Sequence, residues 1–294
     1  MSNYKFKITV VTPVFNGEHT ILKSIQSLQN QTFKDWCCII VNDGSTDKTK
    51  IILDTLNDER FHIVHFKENK GRPVARQAAL ELVKTKYMCM LDADDWYYPD
   101  KLEMQYKFME SNPTITLMST AIGVVNKKGH LYNVLAPFNK IKHLSFNKYL
   151  DYKMVPHASS IIRVLDIGKV AFNLKLKLGE DQDFMRKLLI GKKYAFVNKI
   201  TYIYHRDESF SFNKYKNSMN FAIESTNSLP ISTFLKAKQF IKFKSKMLIV
   251  QFLYLFGFQN WYLNRVGRKP NLKVQDFFTL TKSNIISNDE RKIL

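Results

Sequence analysis

Cysteine is scarce: Cys37, Cys38 and Cys89 are the three in 294 residues. All lie inside apolar runs, their number is odd, and none has metal-ligand spacing. A disulfide framework is therefore not expected, and they read as reduced core thiols of a cytosolic protein. An apolar signal core is missing from residues 1–7, so secretion is not expected. The longest late apolar run, Met247 to Phe258, is interrupted by Gln251 and too short to span a bilayer. No Gly-x-Gly-x-x-Gly turn follows the first strand-like run, where Pro13-Val14-Phe15-Asn16-Gly17 stands instead, which argues against a nicotinamide-dependent dehydrogenase. Nor is there an early glycine-rich loop with a basic residue to hold a triphosphate, as a nucleotidyltransferase of similar architecture needs. Acids are outnumbered, 26 against 45 Lys and Arg, giving a net charge of +19. Such a field attracts nucleic acid, anionic membrane or anionic small molecules.

What is present is an alternation. With 45% hydrophobic and 24% charged residues the chain is globular. Strands are expected at Ile8–Pro13, Cys37–Val41, Phe61–Phe66 and Tyr87–Leu91. Helices fall between them, at about His19–Gln29, around Ile51, Ile52 and Leu56, and at Pro73–Val83. This order predicts an α/β fold with a mostly parallel sheet and helices on both faces. Further on, a helix is expected at Pro99–Met109, a strand at Ile115–Val125 with a turn at Lys127-Lys128-Gly129, and irregular chain from His130 to Met154. Strands at Ala158–Arg163 and Tyr194–Tyr204 flank a helix opened by Gly179-Glu180-Asp181-Gln182-Asp183.

The chemistry concentrates where the fourth strand ends, in Asp92-Ala93-Asp94-Asp95. Open α/β sheets place ligands at strand carboxyl ends, and Asp92 and Asp94, two apart, point to one side of an extended chain. Carboxylates crowded there repel one another and call for a cation. Magnesium or manganese, bound through one or two carboxylates plus substrate phosphates, answers that need. The competing reading makes Asp94 and Asp95 helix caps with Asp92 solvated.

Five stretches in order, residues 11–18 (Val-Thr-Pro-Val-Phe-Asn-Gly-Glu), 31–33 (Gln-Thr-Phe), 41–47 (Val-Asn-Asp-Gly-Ser-Thr-Asp), 69–71 with Ala75-Arg76, and 91–95, resemble the family 2 glycosyltransferases. These are inverting enzymes with the GT-A fold, among them builders of bacterial capsule and lipopolysaccharide. The resemblance covers about the first 110 residues and extends more loosely to about His205. It implies that main-chain atoms of Pro13 and Phe15 contact a nucleoside, with Glu18 reaching it too, and that Asp43 accepts the imide N–H of uracil. It places Gly71 and Arg76 near base and diphosphate, Asp92 on ribose or a metal-bound water, and Asp94 as direct ligand of Mn2+ or Mg2+. Asp95 assists or caps, Asp181 is the catalytic base on the acceptor side, Glu180 contacts the acceptor, and His205 or Arg206 meets diphosphate or metal. Structural alternatives stand beside these roles: an Asx-turn for Asp43, a helix start for Glu18, a carbonyl-binding cation for Arg76, complements to the helix dipole for Glu180, Asp181 and Asp183, and a structural His205.

The implied activity is metal-dependent transfer of a hexosyl or N-acetylhexosaminyl unit from a nucleotide sugar, UDP-linked, to a hydroxyl of a glycan or lipid-linked glycan. Residues 1–110 are expected to bind the donor and 111–212 the acceptor. Residues 213–294 carry fourteen Lys and Arg against four acids, with an aromatic-rich stretch from Leu248 to Tyr262. That helical region reads either as a solvated helix packed on the domain or as a peripheral contact with the anionic inner face of the cytoplasmic membrane. A non-catalytic nucleic-acid-binding module is the alternative from another class, and carboxylates at strand ends count against it because they repel phosphate backbones.

Overall fold

All seven residues of the first strand, β1 (Ile8–Val14), are buried. Such a strand must be covered on both faces, as parallel sheets are. In the computed structural model, which describes residues 5–126, 129–136, 142–145, 155–176, 178–205, 212–227 and 232–258, helices supply that cover. β1 pairs in parallel with β2 (Trp36–Asn42) and β4 (Tyr87–Met90), and β3 (Phe61–His65) lies outside β2. The connections are α1 (Ile21–Gln29), α2 (Thr49–Asp54) and α3 (Arg72–Leu82). Ile8 and Val10 share a core with Ile21, Ile25 and Leu28 of α1, while Val11 shares the opposite core with Ala75 and Ala79 of α3. This is the period-2 alternation of a strand set between two helical layers.

One helix face differs from expectation. In α2 Ile52 and Leu56 pack against the core as expected and Leu53 is buried beside them, but Ile51, expected on the same apolar face, is 65% exposed. The helix begins at Thr49, itself buried, so its inward stripe runs Thr49, Leu53, Leu56, and Ile51 lies nearly opposite.

Past β4 come β5 (Trp96–Tyr97), α4 (Lys101–Ser111), β6 (Ile115–Val125), β7 (Leu131–Leu135), β8 (Lys142–Ser145), β9 (Ile161–Arg163), α5 (Val164–Ile167), α6 (Glu180–Leu189) and β10 (Lys193–His205). The helices α7 (Phe212–Asn227) and α8 (Thr233–Leu255) follow. The sheet runs β3-β2-β1-β4-β9-β6-β10-β5, with β7 on β6 and β8 on β10. Its first four strands are parallel as the sequence predicts; β9, antiparallel to both β4 and β6, introduces the mixed second half. The sheet continues across residue 110, so both parts of the domain share one framework.

β7 and β8 correct the reading of 130–154 as irregular. They are short strands held by backbone pairing to β6 and β10, which leaves little apolar periodicity in the sequence. The strand expected at 158–163 shortens to Ile161–Arg163 because a turn closes ahead of it, with the Ser160 N–H donating to the His157 carbonyl. At the turn after β6, Gly129 has φ +75° and donates to the Asn126 carbonyl, while Lys127 and Lys128 lie outside the described residues. Gln31 of the 31–33 stretch is fully buried; its amide donates to the carbonyls of Ser27 and Tyr98 and accepts from the Leu102 N–H, tying α1 to α4.

The approach of the chain before α3 to the end of β2 needs a glycine. Gly44 has φ +66°, and a Cβ there would lie 2.2 Å from the Glu68 carbonyl carbon and 2.5 Å from the Asn69 nitrogen. Both obstacles are backbone, so nothing flexible yields. We expect Gly44→Ala to cost about 3 kcal/mol or more, from left-handed strain plus overpacking. A urea denaturation midpoint within error of wild type at unchanged slope would contradict this account of the turn.

Candidate active site

The carboxyl ends of β1, β2 and β4 open into a cleft of about 670 Å³. Pro13, Val14, Phe15, Asn16, Gly17 and Thr20 form one wall and Asp43 part of the floor; Asn69, Gly71, Arg72 and Ala75 come from the start of α3, Asp92, Ala93 and Asp94 from the end of β4, and Tyr204 from β10. Phe15 is about half exposed, at 48%, and lies open for stacking. Pro13, Phe15, Asp43, Gly71, Asp92 and Asp94 are thus brought together around one space.

Asp43 is buried, and its two oxygens accept the N–H groups of Lys70 (2.8 Å) and Gly71 (2.9 Å). The carboxylate therefore clamps the loop ahead of α3 while bordering the cleft, and its remaining lone pairs stay open to a ligand N–H. Its partners lie in the adjoining loop before α3, not in an Asx-turn of its own loop. Glu18 is turned away from the cleft, its Oε2 accepting the Lys48 N–H at the head of α2 (2.9 Å). This is a helix-start role, though for α2 instead of α1.

The three acids after β4 have three fates. Asp92 accepts a hydrogen bond from Arg76 Nη2 at 2.7 Å. Burial pushes its pKa up, but the Arg76 guanidinium outweighs this and holds the carboxyl below its usual value. Asp94 is exposed to the cleft, and its pKa is raised by desolvation and by the charge of Asp92, partly offset by His205 and Arg72. Asp95 is buried and accepts from the Tyr202 hydroxyl (2.6 Å) and the His205 N–H (2.9 Å). Desolvation and its two acidic neighbours raise its pKa well above the ordinary value. Asp95 thus fastens the end of β10 to the end of β4; it neither borders the cleft nor caps a helix. By its main-chain bond to Asp95, His205 is held next to Asp94, while Arg206 lies outside the described residues.

Arg76 is buried and pairs with two carboxylates, Asp92 and Glu180, the latter at 2.7 Å. That corrects the structural alternative for Arg76, since it binds side-chain acids and not carbonyls; it stands behind Asp92, which borders the cleft. Despite desolvation its pKa is raised, because Asp92, Glu180 and Asp181 all favour its charge. Glu180, expected to touch an acceptor, is fully buried and also receives Arg72 through Nε (2.5 Å) and Nη2 (3.2 Å). Its carboxylate is consumed by this bridge. Asp181, the next residue, stays partly exposed in the first turn of α6, within electrostatic reach of Arg76 and His157.

Sequence reasoning missed Arg72, Tyr204 and His157, and gave Asn69 no role of its own within the 69–71 stretch. For Arg72 a signal existed: Arg72 and Arg76 are four apart and share one helix face. His157 had none, because it sits in a turn with no motif. Its ring lies against Phe172 and Phe184, centroids 6.0 and 5.7 Å away, and its Nε2 has no hydrogen-bond partner among the described residues.

A parallel sheet with a cleft at its switch point, acids at the end of β4 and a second acidic helix start opposite define the GT-A class of fold. The family model described as glycosyl transferase family 2 matches residues 9–166, more than half of the chain, and the chain belongs to that family. An uncharacterised glycosyltransferase of Methanocaldococcus jannaschii is 32% identical over 197 residues, covering 64% of this chain and 66% of that protein. TuaG of Bacillus subtilis, a putative teichuronic acid biosynthesis glycosyltransferase, is 42% identical over 111 residues, 37% of this chain and 44% of its own. WfgD of Escherichia coli, a UDP-Glc:α-D-GlcNAc-diphosphoundecaprenol β-1,3-glucosyltransferase, is 30% identical over 49% of this chain and 55% of its own. The matches thus span less than two thirds of these relatives' lengths. Among solved structures, S. aureus TarS 1–349 in complex with UDP superposes with a TM-score of 0.62 at 19% identity, over 81% of this chain and 70% of that one. The Pyrobaculum calidifontis mannosyltransferase PcManGT, with GDP-Man and Mn2+, superposes at 0.55 and 14% identity, over 76% and 64%.

Burial, followed by the charge of Arg76, pushes the His157 imidazole down to about 4, against the opposing pull of Asp181 and Asp92. Between pH 6.5 and 4 the unfolded chain binds a proton that the folded chain refuses, so stability falls as pH drops through that window. Between pH 7 and pH 5 the wild type should lose about 2 kcal/mol more than His157→Phe, whose ring keeps the aromatic stack without titrating. Urea titrations of both proteins at both pH values check this, and parallel losses would mean that the imidazole is not held neutral.

Proposed function

We propose that this chain is an inverting glycosyltransferase that moves a sugar from a nucleotide sugar, UDP-linked, to a hydroxyl of a glycan or lipid-linked glycan. The observation that carries the reading is the cleft itself, where Asp43, Asp92, Asp94 and Arg72 meet around one space and Asp181 opens α6 beside them. In this reading residues 1–110 bind the donor, 111–212 receive the acceptor, and 213–294 form a basic appendage. The donor chemistry of WfgD and the UDP complex of TarS support a uridine nucleotide, and the WfgD acceptor, a diphosphoundecaprenol glycan, supports a lipid-linked one.

Phe15 offers an apolar face to the base and Asp43 its free lone pairs to the imide. Arg72 and the acids after β4 border the space for the diphosphate. The exposed Asp94, with no cation paired to it among the described residues, fits Mn2+ or Mg2+, which would take its other ligands from water and phosphate oxygens. Bound there, such a cation would neutralise charge on the departing diphosphate. Asp181 takes the proton of the attacking hydroxyl, from the side opposite the leaving group. At a helix N-terminus its ionised form is favoured, which suits a base at neutral pH.

Thermal melts with UDP, GDP, dTDP and CMP, with and without manganese, test the donor site. One nucleotide should raise the melting temperature, by the equivalent of roughly 2.7 kcal/mol at a hundred times its dissociation constant. The shift should shrink in Asp94→Ala and persist in Asp181→Asn, whose turnover should drop about 10²- to 10⁴-fold. Normal turnover by Asp181→Asn would remove it as the base, and no shift with any nucleotide would remove the donor site.

The acceptor side of the proposal extends to the membrane. Among the described residues no helix is long and apolar enough to cross one. α8 instead exposes Phe234, Ile241, Leu248, Phe252 and Leu255 in one stripe, flanked by Lys238, Lys242 and Lys244, and contains no acid. We assign this face to an anionic bilayer surface at the cytoplasmic side, with the apolar stripe at the headgroup boundary and the lysines on lipid phosphates. Trp261 and Tyr262, read with this stretch in the sequence, lie outside the described residues. Co-sedimentation with phosphatidylglycerol vesicles should fall at least tenfold for Leu248→Glu/Phe252→Glu; equal binding by wild type and variant would refute the assignment.

A further inference from the structure

Arg72 is held in an unusual way for a residue that borders a ligand cleft. It lies at the first turn of α3, immediately after Gly71, whose φ of +92° turns the chain into the helix. Two of its five N–H groups, one on Nε and one on Nη2, go to Glu180, which is fully buried. Arg76, one helical turn on, binds the same carboxylate from below and is buried, so Glu180 cannot swing with the solvent-facing arginine. The Arg72 side chain nevertheless remains 45% exposed, against 5% for Arg76. It borders the cleft alongside Asp92 and Asp94. The result is a guanidinium with one edge anchored and another edge presented to the same space as the exposed acid.

Arg72 and Arg76 together balance the two carboxylates, Glu180 and Asp92, and the two bonds to Glu180 still leave Arg72 with three N–H groups to spare. A flexible surface arginine would pay rotamer entropy to bind an anion, but this one is already positioned, and a fixed fork of donors suits phosphate oxygens.

We propose that Arg72 is a diphosphate-binding residue that grips the leaving group of the donor, with Glu180 holding it in place. This rests on the nucleotide-sugar reading of the cleft. Because charge grows on the diphosphate as the sugar departs, preorganised donors at that point stabilise the transition state more than the bound donor. The same bridge runs from Arg72 through Glu180 to the neighbouring Asp181, so the group that holds the leaving diphosphate is tied directly to the start of the helix that carries the base.

The test compares a nucleoside with its diphosphate by calorimetry: uridine against UDP, with guanosine against GDP in parallel, in manganese and in EDTA. In wild type the diphosphate should bind at least tenfold tighter than the nucleoside. In Arg72→Gln the diphosphate should weaken ten- to a hundredfold while the nucleoside stays within twofold, and Arg72→Lys should fall between. Turnover in Arg72→Gln should drop by at least the same factor. Arg72→Lys keeps a cation on α3 and carries the comparison where Arg72→Gln does not fold. A diphosphate affinity within twofold of wild type in both variants would overturn the proposal. So would an equal loss for nucleoside and diphosphate, which marks a structural residue. Wild type that binds neither UDP nor GDP would instead overturn the donor reading on which the proposal stands.

Discussion

The cleft depends on one buried carboxylate. Glu180 receives Arg72 and Arg76, and Arg76 passes on to Asp92, so the start of α3, the end of β4 and the start of α6 are joined through ion pairs. A buried ion-pair network adds little net stability, since desolvation offsets most of the attraction. Its value lies in geometry: removing one member leaves the others charged and unpaired, at about 3–5 kcal/mol, so alternative arrangements of these three elements are strongly disfavoured. The two sides of the cleft, far apart in sequence, therefore meet at a fixed separation.

Within that frame, neighbouring acids of the same chemistry are set to different tasks by their surroundings. Asp92 is neutralised by Arg76 and kept ionised. Asp95, two bonds deep in hydrogen bonding to β10, is spent on architecture. Asp94 alone is exposed, and desolvation, followed by the charge of Asp92, raises its pKa. Where the sequence reading expected an extended chain after β4, the backbone turns: the Asp95 N–H donates to the Asp92 carbonyl at 3.1 Å, which leaves Asp94 exposed on the turn and Asp95 buried behind it, so the division is set by the backbone before any ligand arrives.

Much of this was legible in the sequence. The β-branched run of Ile8–Val14, the glycine after Asp43 and the alternating helices specify the parallel half of the sheet, because buried strands and covering helices write their periods into the chain. The acids at the end of β4 and the start of α6 were legible for the same reason: strand ends and helix starts can be located from pattern. What escaped was decided by partners distant in sequence. Glu180 looks like a helix-dipole acid until two arginines from α3 reach it, and Glu18 looks like a cleft residue until the head of α2 claims it. β7 and β8 escaped because backbone pairing at a sheet edge needs no apolar rhythm. His157 escaped because burial in a turn leaves no periodic mark at all.

The net charge of +19 acquires a location from the structure. The cleft is lined by three acids, Asp43, Asp92 and Asp94, against Arg72, so the excess lies elsewhere, and α8 with its five lysines and no acid is one of its main carriers. A helix that exposes both Phe252 and Lys242 to water is poorly served by solvent alone: the apolar stripe loses by hydration what the lysines gain. An anionic surface satisfies both at once. Ser225 of α7 donates to Asp183 of α6 at 3.2 Å, and α7 in turn packs on α8 through the stacked rings of Phe212 and Tyr254. The appendage is therefore coupled mechanically to the helix whose first turn carries Asp181. In the proposed reaction a nucleotide sugar and a lipid-linked diphosphate glycan are both anions, which a chain of net charge +19 attracts, while the acids lining the cleft favour an anion that arrives with a cation.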